Sequence, residues 1–263
     1  MKKGILYLII ALALVSCSTV LLTNRKQLSL VSDSEVLTSS FQSYKQFIDS
    51  VPASSDKVNT ALVKKVGQKM AFVVDTYLKN NGMAADAATY AWEFNLVKDT
   101  AVNAFCMPGG KVVVFDGILA VTKNEVGLAV VLGHEIAHAV AKHSNERMSQ
   151  QMLAQYGAAL TGLAVSNKST ATQAVVNSVY GIGAQYGFML PYSRKHELEA
   201  DRLGLIFLAM AGYDPNQAIT FWQRMADASK GSIPEFMSTH PSDATRIAQI
   251  KQYLPEALTY YKK

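Results

Sequence analysis

His134-Glu135-Ile136-Ala137-His138 is the stretch that decides how this chain is read. On a helix, two histidines four residues apart point the same way and can grip one metal ion. Glu135 then lies about 100° around the axis, within reach of the metal's open position. The pattern predicts a zinc site with a carboxylate placed to take a proton from water. It also arises by chance in unrelated chains, so a helix and a third ligand must be found independently.

The helix is legible. Thr122 and Glu125 stand at capping-box spacing, an almost unbroken apolar run from Val126 to Leu132 leads into the motif, and Lys142 lies near the end. Such a run predicts a buried helix. A metal-binding pair at its end has the rigidity that ligand geometry demands.

The first residues read as an export leader: Lys2 and Lys3, an apolar core from Ile5 to Val15, then Leu14-Val15-Ser16-Cys17, which looks like a bacterial lipobox. Cleavage before Cys17 and acylation of that cysteine would tether the chain to a membrane without a spanning helix. Ser18 in place of Asp favours the outer membrane, with the protein facing the periplasm. The competing reading is an ordinary signal peptide or short anchor. Losing Lys2 and Lys3 lowers the formal charge from +5 to +3. No basic cluster with interleaved aromatics appears, so nucleic acid is not an expected partner. With Cys17 acylated, Cys106 has no cysteine to pair with.

Residues 18–30 read as a tether. A helix is expected from near Ser32 to Glu35, with Leu37, Phe41, Tyr44 and Ile48 on one stripe, until Pro52-Ala53-Ser54-Ser55 interrupts it. Leu62, Val66, Met70, Val73 and Tyr77 mark a second helix, ended by Asn80-Asn81-Gly82. Trp92, Phe94 and Leu96 alternate with polar residues and predict a strand. Asn103 to Gly110 reads as a turn and Lys111 to Phe115 as a second strand. Edge strands can hold an extended peptide by main-chain bonding, but periodicity alone does not say which strand is the edge. The apolar segments 156–165 and 174–190 fall short of the ~20 residues that span a bilayer and read as a packed helical hairpin, with a mobile cover as an alternative. Ser193 is the expected cap of a helix to about Met210, Asp214-Pro215 restarts another, and a last helix follows His240-Pro241-Ser242.

A catalytic zinc needs a third protein ligand. His143 lies nine residues after His134, on the opposite side of a continuing helix, and reads as a surface or helix-end histidine. The metzincin pattern fails, because Ser144 and Ala141 stand where its histidine and glycine belong. In Glu197-Leu198-Glu199-Ala200-Asp201, Glu197 and Asp201 share a helix face. One can ligate the metal while the other hydrogen-bonds a ligand histidine, and Glu199 points away as a solvated or salt-bridged side chain.

His-Glu-Ile-Ala-His followed by Glu197-x-Glu-Ala-Asp201-x-x-Gly204, then His240-Pro-Ser and Arg246, resembles the HtpX-like family of gluzincin metallopeptidases, and within it the lipoprotein or periplasmic members of the LoiP and BepA kind. The resemblance covers the chain from about residue 30. It implies one Zn²⁺ per chain held by His134, His138 and Glu197, Glu135 as base, and Asp201 as the acid behind the ligands. It also implies His240 as a fourth ligand able to block the water position, against a plain loop residue. Arg246 would steady a developing oxyanion, or else pair with an acid. The spanning helices of integral-membrane relatives are missing, as is the helical-repeat domain of BepA-like ones.

The expected fold is α+β, mainly helical, of zincin type, with a small β-sheet beside the His-Glu-x-x-His helix. The expected organisation is a lipoprotein signal peptide over 1–16, a lipidated tether over 17–31 and a zinc metallopeptidase domain over 32–263. The expected function is endoproteolysis in the bacterial cell envelope, and the resemblance alone implies unfolded or misassembled envelope proteins as the substrates. The alternatives are a lipid-anchored, zinc-stabilised chaperone or scaffold that does not cut, and a hydrolase acting on something other than peptides.

Overall fold

The computed structural model describes residues 17–228, 236, 238, 240 and 244–262. The expected signal peptide, and Pro241 and Ser242 of the His-Pro-Ser motif, lie outside the described residues. In chain order the elements are β1 (Cys17–Thr19), β2 (Lys26–Leu28), α1 (Asp33–Ser50), α2 (Lys57–Asn80), α3 (Ala84–Ala87), β3 (Glu93–Val97), β4 (Ala104–Met107) and β5 (Lys111–Phe115). After these come α4 (Leu119–Thr122), α5 (Glu125–Val140), α6 (His143–Ala164), α7 (Thr170–Ile182), α8 (Leu190–Met210), α9 (Gln217–Ala228) and α10 (Ala244–Leu258). The protein is mainly helical with small sheets, as expected. Its backbone falls into two compact units, one formed by the chain up to Val36 with Lys142–His196, the other by Leu37–Ala141 with Glu197–Lys263.

In the second unit β5 is central, parallel to β3 and antiparallel to β4. That position explains its valines: Val112, Val113 and Val114 are wholly buried because both sheet faces are covered. Val113 and Phe115 pack with Tyr44, Phe47 and Ile48 of α1. On β3, the Phe94 ring occupies the space where a Cβ on Gly67 of α2 would stand. The buried stripe of α2 is therefore Val63, Val66, Gly67, Met70, Ala71, Val74 and Leu78. Leu62, Val73 and Tyr77 sit at its margin, because the seam recruits small residues for close approach.

Two sequence expectations are corrected in this unit. Asn103 to Gly110 is not a simple turn: Ala104–Met107 is a strand, β4, and the reversal is confined to Pro108-Gly109-Gly110, with φ of +83° and +84° at the two glycines. The flanking Asn and Pro-Gly-Gly masked a strand of four residues. The cap of α5 is Asn124, whose side chain accepts from the Gly127 amide at 2.9 Å. Thr122 instead ends α4, and its carbonyl lies against Gly127.

In the first unit the expected tether is a β-hairpin, β1 pairing antiparallel with β2. It is fastened to α6: Arg25 makes two hydrogen bonds to Glu146, at 3.0 and 2.7 Å, and the Leu30 amide donates to Ser149. Asp33 accepts from Lys142 and Asn145. The hairpin expected from the apolar segments forms, with the Tyr180 hydroxyl of α7 donating to the Ala154 carbonyl of α6. Ser193 caps nothing, because a π-helical stretch from Gly183 to Met189 carries the chain straight into α8, which begins at Leu190. His143 is at a helix end, as expected, being the first residue of α6, but it is buried rather than on the surface, stacked on His196 with ring centroids 4.3 Å apart. Among the described residues, no helix is long and apolar enough to cross a membrane.

Candidate metal centre

Helices α5 and α8 meet at two glycines. A Cβ on Gly133 would stand 3.1 Å from the Gly204 carbonyl oxygen, and one on Gly204 would stand 3.0 Å from the His134 amide nitrogen. At so close a crossing, the acids one and two turns before Gly204 come beside the histidines that follow Gly133.

One ligand atom each from His134, His138, Glu197 and His240 lies within 4.8 Å of every other. The His134 Nε2 atom is 3.1 Å from His138 Nε2, 3.2 Å from His240 Nδ1 and 3.3 Å from Glu197 Oε2. Glu197 Oε1 lies 3.4 Å from His138 Nε2, and Glu197 Oε2 lies 3.0 Å from His240 Nδ1. Four ligands at ~2.0–2.1 Å from a tetrahedral zinc would stand about 3.3–3.4 Å apart. The donor set, three imidazoles and one carboxylate, and its spacing therefore fit zinc. All the sequence-predicted ligand residues converge, and the carboxylate among them is that of Glu197 rather than Asp201.

Asp201 sits behind them. Its Oδ1 is 3.0 Å from His134 Nδ1, so that ring nitrogen carries the proton and Nε2 is left for the metal. Arg246 grips the same carboxylate through Nε at 2.6 Å and Nη2 at 2.7 Å, and its Nη1 is 3.4 Å from Glu197 Oε2. Its guanidinium also lies 3.6 Å over the Trp222 ring. Arg246 is 3% exposed. Of the two expectations for Arg246, the geometry shows the pairing with an acid: its guanidinium is bonded to Asp201 and roofed by an indole, which suits it to positioning the ligand residues. Glu199 is buried, which rules out the solvated one of its two expected states.

Burial and Arg246 push the His134 imidazole down, but Asp201 and Glu197 more than offset them and raise its pKa to about 9. Burial also raises the carboxyls here. For Asp201 the Arg246 charge overrides it, and for Glu197 the histidines do, so both end below the usual carboxylate range. Glu135 goes the other way. Burial outweighs its cationic neighbours and lifts its carboxyl above the ordinary value. Its Oε1 is buried, 3.5 Å from His240 Nε2, and has no hydrogen-bond partner among the described residues. Acids with environments pushed apart are what division into ligands and base requires.

Trp222 and Phe236 are site residues that sequence reasoning missed. Their rings flank His134 at 5.5 and 6.2 Å between centroids, and Phe236 stacks on His240 at 4.6 Å. Nothing in their spacing marks them, since each reads as ordinary core. Strand β4 also belongs to the surroundings: burial first, and then the Glu135 charge, push the Cys106 thiol up.

A segment of the chain is similar to proteins from both mitochondria and bacteria. It is 42% identical over 168 residues to mitochondrial metalloendopeptidase OMA1 of Schizosaccharomyces pombe, covering 63% of this chain and 48% of that protein. It is 34% identical over 173 residues to human metalloendopeptidase OMA1, covering 64% and 33%. It is 34% identical over 175 residues to the beta-barrel assembly-enhancing protease of Yersinia pestis, covering 64% and 35%. The matched segments span half or less of these relatives. Residues 58–254 carry the match to a family as a whole, and they contain His134, Glu135, His138, Glu197, Asp201 and His240: the chain belongs to Peptidase family M48, a family of zinc metallopeptidases.

Proposed function

We propose that this protein is a zinc-dependent endopeptidase of the bacterial cell envelope, anchored by lipid on Cys17, that cuts unfolded or misassembled envelope proteins. The observation that carries the chemistry is the Glu135 carboxyl, buried and raised in pKa beside four convergent ligand atoms. A zinc that only stabilised a scaffold would need no such group. Relatives named beta-barrel assembly-enhancing protease, in Yersinia pestis and Escherichia coli, support the envelope assignment. Against the mitochondrial names of other relatives stands Leu14-Val15-Ser16-Cys17, a bacterial lipidation signal.

Zinc, when bound, supplies Lewis acidity, lowering the pKa of water toward ~7 and polarising the scissile carbonyl. Glu135 accepts the proton of the attacking water and returns it to the leaving amine. Arg246 and Asp201 hold His134 in the tautomer that ligates. Strand β4 is the sheet edge beside Glu135, and an extended substrate pairing with it would be held without regard to sequence. His240 would join His134, His138 and Glu197 in holding the metal in a resting state and would withdraw when a substrate enters, since a fourth protein ligand would close a site that catalysis needs open.

The test is hydrolysis of casein by the full chain. Cleavage that is abolished by a chelator and restored by zinc supports the reading, and zinc-loaded protein that leaves casein intact would overturn it.

A further inference from the structure

The α6–α7 hairpin holds a concentration of exposed large hydrophobic side chains. Among the described residues ten large hydrophobic side chains are exposed, and six lie here: Leu153, Tyr156, Leu160, Leu163, Val175 and Val179. The four on α6 recur at intervals of three and four residues and so form one stripe, and the two on α7 are one turn apart. Isolated exposed leucines need no explanation, but a stripe does.

Charge and chain connection identify what covers it. From Met148 to Ser193 the sequence has no acidic residue and one cation, Lys168, while exposed Arg147, Arg194 and Lys195 stand at the two ends. An acid-free apolar body with basic ends suits an anionic lipid surface, where the cations reach headgroups and the apolar side chains enter the acyl boundary. The chain's membrane-seeking end joins this same unit: the apolar leader stops at Cys17, the first residue of β1, and the β1–β2 segment is fastened to α6 through Arg25–Glu146 and Leu30–Ser149. On the proposed acylation of Cys17, the lipid anchor would deliver this unit to a bilayer. Neither helix can cross one.

We propose that the α6–α7 hairpin is a membrane-docking surface that lies in the headgroup region of an anionic bilayer. It borrows from the proposed function only that Cys17 brings the chain to a membrane. Docking makes this unit a second, peripheral attachment, so that one lipid anchor, weak on its own, is reinforced by buried side chains.

The experiment uses the full chain with Cys106→Ser, labelled at Leu160→Cys or, as a control in the other unit, Phe72→Cys with the environment-sensitive dye NBD. Vesicles contain phosphatidylethanolamine and phosphatidylglycerol. A blue shift and intensity rise at Leu160 on vesicle binding, with none at Phe72, is the expected result. Leu160→Glu with Leu163→Glu, both at exposed positions, should lower vesicle partitioning of the Cys17→Ala chain by about tenfold or more. A Leu160 label that stays aqueous on vesicle-bound protein overturns the proposal. So does a shift that follows protein concentration without vesicles, which would assign the stripe to a second copy of the chain. Mass spectrometry of Cys17 separates the two readings: an unmodified cysteine with a shifted Leu160 label defeats the lipid anchor and leaves the docking surface standing.

Discussion

Gly204 brings the backbone of α8 to the amide nitrogen of His134, so closely that a Cβ on Gly204 would stand 3.0 Å from it. The histidine helix and the acid helix are thus registered by backbone contact. Gly204→Ala should force them apart, destabilising the protein by about 1–3 kcal/mol. Because the shift falls between ligands, zinc affinity should drop as well. Thermal unfolding and a zinc titration with a competing chelator measure both, and wild-type values in each would show that the crossing is not what registers the ligands.

Glu135→Gln and Glu197→Ala should separate base from ligand. The first keeps all four ligand atoms and should retain stoichiometric zinc while casein hydrolysis falls by about 10²–10⁴-fold. The second should lose zinc and activity together. Metal analysis of each purified variant decides: normal turnover by zinc-loaded Glu135→Gln removes the mechanism, and full zinc in Glu197→Ala removes the ligand assignment.

Arg246→Lys retains a charge but not the fork that holds Asp201 through two nitrogens. The expected outcome is a loss of about 10–100-fold in zinc affinity, as for other partners lying behind metal ligands. Turnover at saturating zinc should be much less affected. A variant with normal zinc affinity and a selectively reduced turnover number would return Arg246 to the oxyanion.

His240→Ala should raise basal casein cleavage at equal zinc content, because the group that fills the fourth position is gone. Unchanged activity makes His240 a bystander. Complete loss with zinc retained makes it a catalytic stabiliser instead of a gate.

Glu146 links the β1–β2 segment to α8. Burial pushes its carboxyl up, but the bonds from His196 and Arg25 outweigh this and hold it at about 2, below its ordinary 4.5. A carboxyl depressed in the folded state binds fewer protons there than in the unfolded chain. Its stabilisation is therefore complete above about pH 4.5 and is lost as pH falls toward about 2. Denaturant unfolding across that window should show the slope, and Glu146→Ala should flatten it while costing about 3–5 kcal/mol near neutral pH. An identical slope in the variant would place the acid sensitivity elsewhere.

Much of the site was written locally. His134, Glu135 and His138 lie within one helical turn and a half, so their shared face follows from the 3.6-residue period, and the Glu197–Asp201 pair follows from the same rule. The mainly helical fold, the valine-rich central strand and the paired apolar segments were likewise carried by period and composition. Strand β4 was not, because four residues between Asn103 and Pro108-Gly109-Gly110 are too few to show an alternation above their turn-forming neighbours.

The sequence by itself determined which residues could hold zinc and which could move a proton. Only the tertiary structure decided their partners: that Glu197 lies among the histidine nitrogens while Asp201 bonds His134 from behind, as the resemblance implied but helix period alone left open, that Arg246 grips Asp201 under the Trp222 ring, that His240 arrives from 43 residues beyond Glu197, and that His143 is stacked inside on His196. The physical reason is that a helix period fixes directions only within one element. Choices between elements depend on how closely two backbones approach, here at Gly133 and Gly204, and on which charges burial leaves no other way to satisfy.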